Sequence, residues 1–200
     1  MSKGAETRER ILGTAFRLAA RQGLEGLSLG ELAKQLRVSK SGLFAHFKSK
    51  EELQIQTLRA ASDRFAQTVM VPAFRKARGL PRVRAFFDNW MRWFADLFAD
   101  PRLPGGCIFM HASFELDDRP GPVREVLVEL QQQFIDALAR SARIAVEEGH
   151  FRRTLDADQF AFDLYSILLG YNLARRLLRD PKAERRAREA FAALLKSSAA

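Results

Sequence analysis

Apolar residues recur along this chain at helical spacing, in runs closed by capping and stopping residues. No Asn-Gly or Asp-Gly turn separates alternating apolar segments, so strands are not expected. The first run, Ala5 to Gln22, sets Ile11, Leu12, Ala15, Phe16 and Ala19 on one stripe. Gly23 follows it and suits the left-handed position past a helix end. Ser28 with Glu31 three residues later reads as a capping box that opens a short helix to Leu36. Ser39 caps a third helix, expected to reach Phe47. Ser49 with Glu52 opens a long fourth, with Leu53, Leu58, Ala61, Phe65 and Val69 inward, and Pro72 is expected to kink or end it.

The pattern continues downstream. Pro81 to Ala99 is dense in apolar residues and is stopped by Asp100-Pro101. Cys107 to Glu115 predicts a short helix, and Val123 to Glu148 a long one ended by Gly149. Asp156 starts a helix reaching toward Arg179, and Asp180-Pro181 starts the last, toward Leu195, with Ser197–Ala200 expected to fray. The fold class is all-α with nine helices. A shift in composition near residue 50 divides them. Residues 1–50 form three short helices with a basic surface, and residues 51–200 form six helices rich in aromatics.

Composition narrows the class. The 200 residues can bury a sizeable core, and 47% hydrophobic with 28% charged residues is a globular balance, not a disordered one. A single Cys excludes a disulfide framework and a cysteine zinc cluster, and no metal site or cofactor is expected. No apolar run reaches membrane-spanning length and the N-terminus lacks a signal-peptide core, so a soluble cytoplasmic protein is expected. Charge is concentrated: residues 1–50 hold 10 Lys and Arg against 4 acids, a net +6 of the whole chain's +9. Such a segment attracts polyanions, nucleic acid foremost, although a basic surface can also serve solubility alone.

The second and third helices are joined by Arg37-Val38. Two short helices with so tight a turn, braced by a preceding helix, form a helix-turn-helix, whose second helix enters the major groove with its N-terminal residues at base edges. Those residues are Ser39, Lys40, Ser41 and Gly42. Gly42 costs about 1 kcal/mol of helix stability relative to Ala, tolerable where backbone approaches DNA or where it packs on the first helix. His46 and Lys50 are placed to reach phosphate. Ser28 stands at a helix N-terminus, where free amides favour anions.

The residues Arg8-Glu9-Arg10-Ile11-Leu12, Ala15, Gly23, Ser28-Leu29, Leu32-Ala33, Leu36, Val38-Ser39-Lys40, Leu43-Phe44-Ala45-His46-Phe47 and Ser49-Lys50-Glu51-Glu52-Leu53 closely resemble the N-terminal domain of the tetracycline-repressor-like (TetR) family. Over residues 56–200 the resemblance is one of length and helix pattern. It implies a homodimeric transcriptional regulator, usually a repressor, that binds a double-stranded DNA operator and is released by a small-molecule effector. By motif position, Ser39, Lys40 and Ser41 open the recognition helix. Phe44 stands where Tyr usually contacts a phosphate, Arg37 replaces the usual Gly of the turn, and Ser41-Gly42 stands where Gly-Thr is frequent.

A regulator of a palindromic operator needs a two-fold axis and hence a self-complementary helix face. The helix from Asp156 is apolar around almost its whole circumference, as a helix buried on all sides would be. Its Phe162, Ile167, Gly170, Tyr171 and Ala174, with Phe191 and Leu194 of the last helix, are the expected dimer interface, with a monomer built around a central core helix as the other reading. Aromatic density downstream of Pro81 suggests a pocket for a largely apolar or aromatic effector, lined by Phe87, Trp90, Phe94, Cys107, Phe109, Phe114 and Tyr165, with ordinary core packing as the other explanation. Cys107 admits two readings, a sensing thiol or a small core residue. An enzyme is not expected: it would need a nucleophile–base pair, paired carboxylates or a metal set, and Asp117-Asp118 sits in a turn with no supporting His or Gly-rich loop. The remaining alternative is a helical interaction protein whose basic N-terminal face meets a partner other than DNA.

Overall fold

The computed structural model describes residues 3–99 and 106–200. Among the described residues there are nine helices and no strand. They are α1 (Lys3–Gln22), α2 (Leu29–Leu36), α3 (Lys40–Phe44), α4 (50–74), α5 (Leu80–Ala99), α6 (Ile108–Leu116), α7 (Pro122–Glu147), α8 (Ala157–Arg176) and α9 (Ala183–Ser198). The described residues divide into two compact units, one within 1–66 and 95–131, the other within 67–94 and 132–200. The expected stop at Asp100-Pro101 lies outside the described residues.

In the first unit, α1 to α3 and the start of α4 enclose one apolar cluster. Ile11, Ala15, Leu18, Leu27, Leu32, Ala33, Leu43, Phe47 and Leu53 are buried in it, with Leu12, Leu29, Leu36 and Val38 partly so. Three serines set the helix starts, each hydroxyl accepting from an amide of the first turn: Ser28 from Glu31 at 3.1 Å, Ser39 from Gly42 at 3.0 Å, Ser49 from Glu52 at 3.0 Å. Each such cap stabilises its helix by about 1 kcal/mol. The reciprocal bond is displaced by one residue at Ser49, where the Glu52 carboxylate accepts from the amide of Lys48, just before the cap, at 2.8 Å. Glu31 instead accepts from Gln35, one turn on. The third helix is shorter than expected. Past Phe44 the His46 amide tightens onto Leu43 O at 2.9 Å, and the chain turns so that Phe47 enters the core. Later in this unit α6 packs on α1 and α4, burying Ile108, Phe109, Met110, Ala112 and Leu116, with Phe109 edge-on to Phe65.

Pro72 does not end α4. The helix runs regularly over Lys50–Phe65, widens into a π-helical turn over Ala66–Met70, and resumes over Val71–Phe74. Proline cannot donate to the preceding turn and its ring crowds the carbonyl four residues back, and a widened turn is one way a helix accommodates it. Asn89, buried on α5, donates from Nδ2 to Val69 O inside that turn at 2.9 Å.

The second unit is built on ring contacts. Phe87 stacks on Phe191 at 4.0 Å, Trp90 meets Phe134 edge-on at 4.5 Å, and Phe94 meets Tyr171 edge-on at 5.5 Å. Asp156 caps α8 by accepting from the amides of Asp158 and Gln159. The expected fraying of Ser197–Ala200 is not found. Ser198 is buried, its carbonyl accepts from Arg152 N at 3.0 Å, Ala200 N donates to His150 O at 3.3 Å, and Phe151 and Ala199 form an isolated antiparallel bridge. The 150–152 backbone supplies the partners that a free terminus lacks.

Candidate nucleic-acid interface

The turn between α2 and α3 is set by Arg37, at φ 55° and ψ 44°, the left-handed region. Its amide reaches back to Lys34 O at 3.3 Å and the Val38 amide to Ala33 O at 3.1 Å, closing the last turn of α2. An L-residue held there costs about 1–2 kcal/mol. Arg37 is exposed, so no buried contact of its side chain offsets that cost.

The amino end of α3 faces outward. Ser39, Ser41, Gly42 and Phe44 are exposed, while Leu43 between them is fully buried and anchors the helix. The Lys40 side chain lies outside the described residues. Ser39 Oγ lies 3.0 Å from Ser41 Oγ as well as capping the Gly42 amide, so the two hydroxyls form one polar rim. A Cβ built at Gly42 would meet only that Ser39 oxygen, at 3.2 Å. Packing against α1 therefore does not explain the glycine; its tight neighbour is the oxygen that caps α3. Phe44 is 50% exposed.

The flanks are less free than the sequence suggests. Lys50 is exposed, but its Nζ donates to Glu25 O at 2.6 Å and lies 3.6 Å from the Glu25 carboxylate. His46 is half-buried, and its carbonyl accepts from Arg8 Nη1 at 3.2 Å. Arg8 also lies 5.0 Å over the Phe47 ring, so it clamps the end of the recognition segment onto α1. Sequence reading did not single out that role, because a contact across 38 residues has no local signature. Ser28, expected at an anion-favouring N-terminus, is exposed and caps α2.

The expected effector-lining residues fall into separate groups. Trp90, Phe94 and Tyr165 of the second unit come together, Trp90 lying 6.0 Å from Phe94 and 5.9 Å from Tyr165, with Phe134 beside them. Phe87 is buried in the same unit against Phe191. Cys107 and Phe109 are buried in the other unit. Phe114 departs from the expectation of an enclosed lining residue. It is 78% exposed, because Ala112 and Leu116 occupy the inner face of α6.

Two of the expected interface residues point inward. Tyr171 is buried beside Phe94, and Phe191 is stacked on Phe87, each on the core side of its helix. Ile167, Ala174 and Leu194 are half-buried. The outward face of α8 carries Phe162, Gly170 and Leu173, followed by Leu177 and Leu178 beyond the helix, all exposed. A Cβ at Gly170 meets nothing within 4 Å. On a helix apolar all round, periodicity cannot say which face turns outward, so Leu173, Leu177 and Leu178 were not separable from the core set.

A family model described as bacterial regulatory proteins, tetR family, matches residues 11–56, and one described as tetracyclin repressor-like, C-terminal domain, matches residues 79–191. The chain belongs to the TetR family. As a TetR-family transcriptional regulator it carries an N-terminal helix-turn-helix domain and a C-terminal domain of the tetracyclin repressor-like type. It is 46% identical over 48 residues to the HTH-type transcriptional regulator AcrR of Shigella flexneri, a match spanning 24% of this chain and 22% of that protein. A TetR transcriptional regulator of Chloroflexus aurantiacus has the same fold, with a TM-score of 0.83 at 24% identity over 98% of this chain and 96% of that one. AibR, solved in complex with isovaleryl coenzyme A and operator DNA, superposes with a TM-score of 0.73 at 24% identity, covering 96% of this chain and 99% of AibR. Among the described residues no helix is long and apolar enough to cross a membrane.

Proposed function

We propose that this TetR-family protein is a repressor that binds a palindromic operator as a homodimer and leaves it when a small, largely apolar effector binds the C-terminal domain. The observation that carries the DNA part is the amino end of α3: an outward rim of Ser39, Ser41 and Phe44 around an exposed glycine, on a helix whose Leu43 is fixed in the core. Ser41 is assigned to base edges. Lys40, Arg37, His46 and Lys50 are assigned to phosphates, Ser28 to a phosphate at the α2 N-terminus, and Gly42 and Phe44 to close contact with the backbone. Two-fold symmetry is supported by the exposed Phe162, Leu173, Leu177 and Leu178, an apolar surface uncommon on a monomer. The apolar effector reading is supported by the Trp90, Phe94, Phe134 and Tyr165 cluster.

Selection of bound duplexes from a random pool by the purified protein tests this reading. An inverted repeat is expected, with half-sites about one helical turn or a multiple of it apart. Recovery of no preferred sequence, or of a single unrepeated site, would overturn the dimeric-operator reading.

A further inference from the structure

The turn that joins α1 to α2 is held from outside the DNA-binding helices. Leu24, 1% exposed, has both its backbone groups satisfied by side chains from later in the chain. Its amide donates to Glu115 Oε2 of α6 at 2.8 Å, 91 residues on. Its carbonyl accepts from Gln54 Nε2 of α4 at 2.8 Å, and Gln54 is itself buried. The next residue, Glu25, meets Lys50 and, at 3.9 Å, Arg119 just past α6.

Gly23 makes the Glu115 contact possible. It sits at φ +82°, and a Cβ there would lie 1.6 Å from Glu115 Oε1 and 2.6 Å from Cδ. The carboxylate therefore occupies the space a side chain at 23 would fill. Glu115 is not needed to bury α6, whose apolar residues do that. Its acceptor is directed at one amide of the DNA-binding domain, from a helix within the span of the C-terminal family match.

We propose that Glu115 is a positioning residue for DNA recognition: by holding the Leu24 amide it ties α6 to the α1–α2 turn and so sets how α2 and α3 are presented. A displacement of α6 of 1–2 Å would break a 2.8 Å bond and leave a largely buried amide without its acceptor. This rests on the DNA-binding reading above.

The test compares Glu115→Ala with Glu115→Gln. The glutamine keeps a carbonyl oxygen for the Leu24 amide, whereas alanine removes it. On the duplex selected by the wild-type protein, alanine is expected to weaken binding about tenfold, because a turn released from Glu115 must be ordered on DNA at a cost on the scale of one lost hydrogen bond. Glutamine should stay within about twofold of wild type, since a neutral acceptor preserves most of a hydrogen bond. Residue-resolved hydrogen exchange should show faster exchange in the alanine variant at Leu24, Gly42 and Leu43, restored by glutamine, with the melting temperature within a few degrees. Wild-type affinity in the alanine variant, or equal loss in both variants, would overturn the proposal. If the wild-type protein selects no duplex, the DNA-binding reading fails, and exchange decides the tether by itself: acceleration at Leu24 that does not extend to Gly42 and Leu43 refutes the positioning role.

Discussion

Replacing Arg37 by glycine should move stability and DNA affinity in opposite directions. Arg37 holds φ 55° and ψ 44° with its side chain exposed. Removing the Cβ relieves about 1–2 kcal/mol of left-handed strain. Glycine also has more freedom to lose on folding, which returns about 0.5–1 kcal/mol. The net gain is about 0.5–1 kcal/mol, and for a chain of 200 residues that corresponds to a rise of about 1–4 °C in melting temperature. The same substitution removes an exposed guanidinium assigned to a phosphate. The slope of log affinity against log salt should flatten by about one unit, with binding weakened on every sequence. Thermal unfolding followed by circular dichroism, and binding titrations across a salt series, read the two effects separately. An unchanged or lowered melting temperature would refute the strain argument, and an unaltered salt slope would remove Arg37 from the phosphate contacts.

Lys50→Ala should flatten the salt slope by about one unit while costing under about 1 kcal/mol of stability, because its partner Glu25 is an exposed one; a steep loss of melting temperature would mean that Lys50 chiefly holds the α1–α2 turn. Ser41→Ala leaves the Ser39 cap on Gly42 intact, so the fold should survive and the preferred operator bases should change; the same preferred sequence in a repeated duplex selection would show that Ser41 reads no base. Gly170→Leu enters open space in the single chain, so sedimentation should give folded monomers if α8 is the dimer face. Burial, and then the nearby Glu184 carboxylate, hold the Tyr171 phenol above its ordinary range. The stability it contributes is present below the unfolded pKa near 10 and is lost as pH rises through the folded value, so Tyr171→Phe should flatten alkaline unfolding; equal pH dependence in both proteins would exclude the phenol.

The helix starts were legible in the sequence because capping is local. Ser28, Ser39, Ser49 and Asp156 each announce a helix through a side chain that bonds within three residues. The family motif likewise lies within one stretch, and the possibility of strain at Arg37 could be read from its place in that motif. What could not be read was the partner of a distant residue. Glu115 on Leu24, Arg8 on His46 O and the tail on residues 150–152 join positions with no sequence relation. The π-helical turn ahead of Pro72 is a choice among several ways to accommodate a proline. The outward face of α8 was hidden for the opposite reason, since apolar residues on every side leave no contrast to read.

The exposure of Ser41 and Phe44 bears on how a protein that reads DNA through this rim, as proposed above, would change its target. Ser41 and Phe44 lie outside the apolar packing that Leu43 and Phe47 carry, whereas a side chain at 42 would press on the Ser39 cap. Variation at Ser41 and Phe44 therefore leaves the buried packing in place, and under the proposed reading a duplicated copy of the chain would drift to a new operator one residue at a time while its scaffold stays as it is.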